Sequence, residues 1–353
     1  MSLLTYPKKI LRFILFSFRY LKAQYKNRGL IYEINHPEKV SLHATAYIGK
    51  DALINACGEK DKIEIQAHTQ IYRRVELSTW FNNRLTIKSY SSINDGCKIL
   101  GDVTIEKYNL FSCNICISSG NHYADHLPEM LIKDQDALVL NDPVLQKNHS
   151  NPVHIEEDCW VGWGAFVKAG VHIGRGAIIG AYSVIVNDVD PYAVMAGIPA
   201  RQLRTRVSFN PPAEITASDY RCFPYFYRGF CQNAEERQVG GTDKLAMEKK
   251  AYAVMRKAVA YEIVLLNNNN FPVTVRITSP QACATLETAL SSGETVLRYE
   301  AGSKEKALSD DYDGMEMSFF DKNDYMVLRI ETHYESPSPT TLPFLFIKKV
   351  KAL

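Results

Sequence analysis

Large apolar residues recur at every sixth position over residues 155–185, without a break in register. A second uninterrupted run with the same period covers residues 87–117. Small or modest side chains stand four positions after most of these residues. The repeating positions are Ile155, Val161, Val167, Ile173, Ile179 and Ile185, and Ile87, Ile93, Ile99, Ile105, Phe111 and Ile117.

A period of six fits neither an α-helix, which repeats near 3.6, nor a pleated strand, which repeats at two. It fits a parallel β-coil with three short faces, each taking six residues and burying one large apolar side chain. The period also appears at Ile48 and Ile54 and, after a loop at 58–62, at Ile65, Ile71 and Leu77. We therefore predict a parallel β-helix over residues 30–206.

Residues 1–29 are predicted to contain an amphipathic helix, spanning 6–28. Its basic residues fall on one helical stripe and its apolar residues on another. Arg12 and Arg19 interrupt the apolar run, which is too short to span a bilayer, and no small-residue cleavage site follows. Two interpretations stay open: peripheral contact with a membrane surface, or packing against the coil.

The region after the coil differs in pattern. Residues 207–260 are interpreted as a linker with an aromatic stretch at 220–230, followed by an amphipathic helix at 244–260. Residues 261–353 alternate between apolar and polar positions, with turn-rich segments between the runs. This predicts an antiparallel β-sandwich-like domain, serving either glycan recognition or subunit contact.

The composition indicates the cellular compartment and limits the classes of binding partner. The chain has 353 residues, of which 46% are hydrophobic and 23% charged, as in an ordinary soluble protein. The formal net charge of +2 gives no reason to expect nucleic acid as a partner. Cys97 and Cys159 fall at small inward positions of the repeat, and Cys113 and Cys116 form a CxxC without a second ligand pair. Structural thiols in a reducing cytoplasm are favoured over a redox or zinc site.

Two segments resemble a known family. CWVGWGA at 159–165 and AGIPARQLR at 196–204 are similar to motifs of the hexapeptide-repeat acyltransferases, particularly the galactoside, maltose and nodulation-sugar O-acetyltransferases. The resemblance covers roughly residues 40–206. It implies a left-handed parallel β-helix, acetyl-coenzyme A as co-substrate, no metal, and a homotrimer with clefts between subunits.

The regular period stops after Ile117 and returns at Ile155. An excursion as long as residues 118–152 is typical of a functional or disordered loop. The resemblance implies a catalytic histidine at its start, and His122 is the matching residue. Histidine titrates near neutrality, so it suits removal of a proton from a sugar hydroxyl that attacks a thioester. His126 is the rival base and a candidate acceptor contact, and Asp125 or Glu129 are candidates to orient His122.

The resemblance also assigns binding positions. Asn94 corresponds to an asparagine that holds the acceptor, although a corner residue is the alternative interpretation. Arg201 and Arg204 are expected to pair with coenzyme phosphates, as guanidinium groups do well. The family often has lysine at the position of Asn187 and a small residue at that of Trp163. The coenzyme-binding candidates are Trp163, Ala181, Val186, Asn187, Arg201 and Arg204.

The sequence thus predicts an O-acetyltransferase that uses acetyl-coenzyme A and acts on a sugar hydroxyl of a bacterial surface polysaccharide or its precursor. Three alternatives stay open. The first is an amino-sugar N-acetyltransferase, and the second a non-catalytic glycan-binding scaffold. The third is a metal lyase similar to the γ-class carbonic anhydrases, for which His154 and His172 do not complete the expected ligand pattern.

Overall fold

The computed structural model describes residues 32–120, 122–123, 127–142, 145, 150–240, 242–302, 317–333 and 345–353. The predicted N-terminal helix at 6–28 lies outside the described residues. The chain divides into two compact units, residues 1–207 and 208–353.

The first unit is built from short strands. In chain order they are β1 (Glu33–Asn35), β2 (Val40–Leu42), β3 (Tyr47–Ile48), β4 (Leu53–Ala56), β5 (Lys62–Ile65), β6 (Gln70–Ile71), β7 (Glu76–Thr79), β8 (Arg84–Ile87), β9 (Ser92–Ile93), β10 (Lys98–Leu100), β11 (Val103–Ile105), β12 (Leu110–Phe111), β13 (Cys116–Ser118), β14 (Val153–Ile155), β15 (Trp160–Val161), β16 (Phe166–Val167), β17 (His172–Ile173), β18 (Ile178–Ile179), β19 (Val184–Ile185), β20 (Ala193–Gly197) and β21 (Ala200–Thr205). A 3₁₀ turn at Pro37–Lys39 follows β1.

From β1 to β19, every third strand of the coil joins the same sheet, which confirms the predicted parallel β-helix. Face 1 has the order β1-β4-β7-β10-β13-β16-β19, face 2 the order β2-β5-β8-β11-β14-β17, and face 3 the order β3-β6-β9-β12-β15-β18-β20-β21. Neighbouring strands are parallel except for the β20–β21 hairpin, which closes the coil. The chain runs from face 1 to face 2 to face 3, and three edges therefore join the faces.

The six-residue period arises because each inward side chain stacks on its equivalent in the next coil. Ile99 pairs with Ile117, and Ile117 pairs in turn with Val167. All twelve repeating residues are at most 1% exposed. The small side chains between them are buried as well, and burial raises the pKa of the Cys97 thiol to about 12. The thiols of Cys97 and Cys159 are therefore core groups, as predicted.

The second unit is an antiparallel β domain. Its strands are β22 (Glu214–Thr216), β23 (Phe226–Phe230), β24 (Leu245–Arg256), β25 (Ala260–Asn267), β26 (Val273–Ser279), β27 (Ala282–Leu290), β28 (Gly293–Glu300), β29 (Tyr325–His333) and β30 (Leu345–Ala352). They form one nine-stranded sheet with the path β27-β26-β29-β24-β30-β25-β28, to which β22 and β23 pair at the side. A 3₁₀ segment at Tyr220–Tyr225 precedes β23.

The helix predicted at 244–260 is wrong, because Leu245–Arg256 within this range form β24. Ala251, Ala253 and Met255 alternate into the core, while Tyr252 and Val254 face the other side of the sheet. The helix-favouring alanine, lysine and methionine of this segment are overridden by pairing with β23, β29 and β30.

The aromatic stretch at 220–230 is largely buried rather than presented to a glycan. Phe226, Tyr227 and Phe230 are at most 1% exposed, whereas Tyr220 is 73% exposed. The described helices of the chain are α1 (Ile132–Asn141) in the long loop, and α2 (Ala234–Gly240) and α3 (Ser318–Lys322) in the second unit. Within the part of the chain that the structure describes, no helix is long and apolar enough to cross a membrane.

Candidate active site

The long loop leaves the coil at the edge between faces 1 and 2. Its two ends are held together, since Gly120 and Ser150 form an antiparallel bridge. The hydroxyl groups of Ser119 and Ser150 lie 2.8 Å apart, and the Asn151 N–H donates to the Ser119 carbonyl at 2.8 Å. The chain therefore re-enters the β-helix at β14, in register with the preceding coil.

His122 stands just beyond this closed neck and is 82% exposed. Its Nδ1 lies 2.5 Å from Oδ2 of Asp136, which is on α1. The second carboxylate oxygen, Oδ1, accepts the Tyr123 N–H at 2.9 Å. With the carboxylate ionised, Nδ1 donates the hydrogen bond, and the lone pair of Nε2 is left for chemistry.

Two further contacts fix the segment that carries His122. The Tyr123 hydroxyl donates to the Leu145 carbonyl at 2.8 Å, and burial raises the pKa of that phenol, which keeps it protonated as a donor. Gln135 is 2% exposed, accepts the Leu127 N–H and donates to the Met130 carbonyl. The first turns of α1 thus hold both the histidine and the segment that precedes the helix.

Asp136 was missed by the sequence interpretation, which placed the orienting carboxylate at Asp125 or Glu129. Asp125 and the rival base His126 lie outside the described residues. Asp136 is 14 residues from His122 and on another element. Only the fold of the loop brings the two together, so no local spacing in the sequence signals the pair.

Three predicted binding residues line the edge between faces 3 and 1. Asn94 follows β9, while Trp163 and Ala181 follow β15 and β18 in two successive corners further along the same edge. The Asn94 side-chain amide donates to the Phe111 carbonyl at 2.8 Å, and its Oδ1 has no partner among the described residues. Asn94 therefore ties its corner to the end of β12 in the next coil.

The two glycines beside Trp163 let neighbouring corners approach closely. A Cβ at Gly162 would lie 2.6 Å from the Ala181 nitrogen, and Gly164 has a positive φ of 67°. The Trp163 carbonyl accepts the Tyr182 N–H at 2.7 Å, while its side chain is 46% exposed. The indole is thus directed away from the coil.

The remaining candidates occupy two other places. Val186 and Asn187 follow β19 at the edge between faces 1 and 2, the edge from which the long loop leaves. Arg201 and Arg204 are exposed on β21, where the hydrogen bond of each guanidinium among the described residues is to a carbonyl of its own strand. Among the described residues, no hydrogen bond joins His122 to any of the predicted coenzyme-binding positions.

His154 and His172 lie on the outer side of face 2, with ring centroids 5.4 Å apart. Their Nε2 atoms lie 3.4 Å from Glu106 and 3.3 Å from Glu156, two buried carboxylates. No group of three or more metal-ligating side chains occurs in the described parts of the chain.

Comparisons with known proteins agree with the repeat. Residues 152–187 match the family model for the bacterial transferase hexapeptide (six repeats). A chloramphenicol acetyltransferase of Klebsiella aerogenes is 30% identical over 126 residues, which are 35% of this chain and 52% of that protein. The chain thus spans about half the length of that relative.

Two relatives carry sugar-related names. The galactoside O-acetyltransferase of Escherichia coli K12 is 25% identical over 184 residues, or 51% of this chain and 77% of that protein. A protein of the same organism named as a colanic acid biosynthesis acetyltransferase, WcaF, is 29% identical over 126 residues, or 35% of this chain and 60% of that protein. About half of the chain is therefore similar to the galactoside O-acetyltransferase, and about a third of it to WcaF.

Proposed function

We propose that this protein, which carries the bacterial transferase hexapeptide repeat over residues 152–187, transfers an acetyl group from acetyl-coenzyme A to a sugar hydroxyl. The acceptor that we propose is a bacterial surface polysaccharide or its precursor. The similarity to a galactoside O-acetyltransferase supports the sugar, and the similarity to WcaF supports the polysaccharide.

The observation that carries this proposal is the hydrogen bond between His122 and Asp136. Nε2 of His122 takes the proton of the acceptor hydroxyl as its oxygen attacks the thioester carbonyl. The tetrahedral intermediate then expels the coenzyme thiolate, which takes the proton back from the imidazolium. Asp136 holds the ring in one tautomer and stabilises the imidazolium that forms. The products are the acetyl ester and free coenzyme A.

An acceptor panel tests the proposal. The release of coenzyme A thiol is measured with acetyl-coenzyme A and sugars that present either hydroxyl groups alone or an amino group. Transfer to hydroxyl acceptors supports the O-acetyltransferase. Transfer to amino sugars alone identifies the N-acetyltransferase alternative, and no transfer to any acceptor favours the glycan-binding scaffold.

Arg201 and Arg204 are proposed to bind the coenzyme phosphates, because their guanidinium groups are exposed and have no acidic partner among the described residues. Acetyl-coenzyme A at about a hundred times its dissociation constant is expected to stabilise the folded protein by roughly 2.7 kcal/mol. In Arg201→Ala/Arg204→Ala this stabilisation is expected to fall by about 1.4 kcal/mol for every tenfold loss of affinity. Thermal unfolding with and without the ligand measures it.

The control for that experiment is Arg298→Ala, which removes an exposed arginine of the second unit. This control is expected to keep the full ligand-induced stabilisation. Equal stabilisation of the wild type and the double variant would contradict the phosphate assignment, and no stabilisation of the wild type would contradict acetyl-coenzyme A as the donor.

We further propose a homotrimer with threefold symmetry. Large apolar side chains are exposed on face 3 and on its edge with face 1, including Leu110 at 57%, Trp160 at 49% and Tyr182 at 64%. An exposed apolar area of this kind is typical of an interface. Sedimentation equilibrium is expected to give about three times the chain mass of 40.0 kDa for the wild type and a lower mass for Trp160→Glu. A wild type that sediments as a monomer would rule out the trimer.

The compartment that we propose is the cytoplasm, with peripheral membrane contact through residues 6–28. Seven free thiols in the described residues support a reducing compartment. The membrane contact rests on the basic amphipathic pattern of the sequence alone.

A further inference from the structure

A cavity of about 350 Å³ opens on the outer side of face 2, over the first coils of the β-helix. It lies on β2 and β5 and on the edge between faces 2 and 3, and its polar lining consists of Ser41, His43, Glu64, Gln66 and Ser89. The volume falls in the range of small-molecule sites, which begins at roughly 300 Å³. None of the proposed catalytic or coenzyme-binding residues lines it.

Glu64 and Gln66 present their functional groups as a pair. Both point outward from face 2 and are half-buried, and Gln66 Nε2 donates to Glu64 Oε1 at 2.9 Å. This bond orients the carboxylate and the amide relative to each other. Glu64 Oε2 and Gln66 Oε1 have no hydrogen-bond partner within the described residues, so two fixed acceptors face the cavity.

His43 supplies the complementary donor. Its Nδ1 accepts the Thr45 N–H at 3.2 Å and lies 3.0 Å from the Thr45 hydroxyl. An Nδ1 that accepts a backbone N–H carries no proton, so in the neutral ring Nε2 bears the hydrogen. The hydroxyl groups of Ser41 and Ser89 also line the cavity. The lining therefore contains hydrogen-bond donors and acceptors on several sides.

An aromatic column adjoins the cavity on the edge between faces 2 and 3. His68 stacks on Tyr90 with ring centroids 4.8 Å apart and an interplanar angle of 7°, and Tyr90 stacks on Tyr108 at 6.0 Å. His68 follows Ala67, and Tyr90 follows Ser89, and both of these small residues line the cavity. An apolar ring surface thus stands beside the polar groups.

These features define the chemical class of the ligand. Among the described residues that line the cavity, the charged group is the carboxylate of Glu64 and none is a lysine or arginine, so this lining does not favour phosphate or other anions. Paired carboxylate and amide acceptors, an imidazole donor and adjacent aromatic rings suit a neutral molecule that has several hydroxyl groups on one side and C–H groups on the other. A neutral sugar ring has this character.

The cavity and the long loop lie at opposite edges of face 2, the cavity at its edge with face 3 and the loop at its edge with face 1. The strand β5 is joined through β8 and β11 to β14, the strand that follows the loop carrying His122. Three strand spacings of about 4.8 Å place β14 roughly 14 Å from β5 along the coil. We propose that the cavity is a distal acceptor subsite, which binds one sugar ring of an oligosaccharide while another ring reaches His122; its role as an acceptor subsite rests on the proposed function.

Acceptor length provides the test. Acetyl transfer is measured for glucose, galactose and N-acetylglucosamine and for their four-residue oligomers. The wild type is expected to have at least a tenfold lower KM for one tetrasaccharide than for its monosaccharide. The reason is that only the longer acceptor occupies the cavity and the site at His122 together. In Glu64→Ala/Gln66→Ala this preference is expected to disappear through a higher KM for the tetrasaccharide, with kcat retained. The control, Ser92→Ala on the outer side of face 3, is expected to keep the preference.

A binding measurement separates this inference from the proposed function. Calorimetry with the tetrasaccharides is done on His122→Ala and on the triple variant that also carries Glu64→Ala and Gln66→Ala. Binding by the first protein and at least tenfold weaker binding by the second supports the subsite, even if no transfer is found. Transfer without a length preference, or tetrasaccharide binding that the two added substitutions leave unchanged, overturns the subsite and leaves the transferase proposal in place. No binding of any tetrasaccharide by His122→Ala also overturns the subsite.

Discussion

Replacing His122 by alanine is expected to lower kcat for acetyl transfer by about a hundredfold to ten-thousandfold, the usual contribution of a positioned base. The side chain is exposed and contacts only Asp136 through its Nδ1 among the described hydrogen bonds, so its removal leaves the coil intact. The KM for acetyl-coenzyme A is expected to stay unchanged. Steady-state kinetics at saturating acceptor, with thermal unfolding as the check on folding, measures the loss.

Asp136→Asn is the companion variant. An amide at this position keeps the shape of the side chain but loses the charge that stabilises the imidazolium and selects its tautomer. We expect kcat to fall by no more than in His122→Ala, and the double variant to be no worse than His122→Ala alone. Equal activity of the wild type and His122→Ala would refute the base assignment, whereas an additive loss in the double variant would show that Asp136 acts independently of His122.

The largest effect on stability is expected from Glu157→Ala. Glu157 and Arg175 are 1% and 3% exposed, and Nη1 of Arg175 pairs with Oε2 of Glu157. Arg175 Nε also donates at 3.0 Å to the hydroxyl of Tyr192, whose pKa burial raises to about 12, so that the phenol stays neutral. Removing Glu157 leaves a buried guanidinium without its carboxylate, which typically costs about 3–5 kcal/mol.

The matched control is Asp158→Asn at the next residue. Asp158 pairs with Arg206 at 2.9 Å, but the two side chains are 41% and 39% exposed. An exposed pair contributes at most about 1 kcal/mol, because water and salt screen it. Unfolding in urea measures both variants, and a Glu157→Ala loss no larger than that of Asp158→Asn would show that Arg175 is satisfied by its other neighbours.

The coil could be predicted from the sequence because every large apolar residue of the repeat is buried in the same way, inside the coil. Ile155, Val161 and Val167 lie on three different faces and are all buried to the same degree. The second unit was harder to predict, since alternation within a strand and helical spacing overlap in short apolar runs. In β24, Ala251 and Met255 fit either pattern, because residues four apart share one face of a helix and one face of a strand, and pairing with the distant strand β29 decides between them.

The candidate site could likewise be predicted only in part. His122 was found because it follows the last regular coil, at a position that the family resemblance marks. Asp136 was not found, because its contact with His122 depends on how the loop folds back through α1 rather than on any repeat. The cavity beside Glu64 and Gln66 was missed for a related reason, since it needs outward residues of two successive coils together with the edge residues between them.

The closed neck of the long loop separates the folding of the coil from the content of the loop. Gly120 bridges Ser150, and Ser119 bonds Asn151, so the coil continues across the insertion as though the two ends were adjacent in the chain. The length and content of the segment between them are therefore decoupled from the stacking of β13 and β14. Insertions or deletions within that segment are therefore expected to leave the coil folded, as long as the residues of the neck are kept.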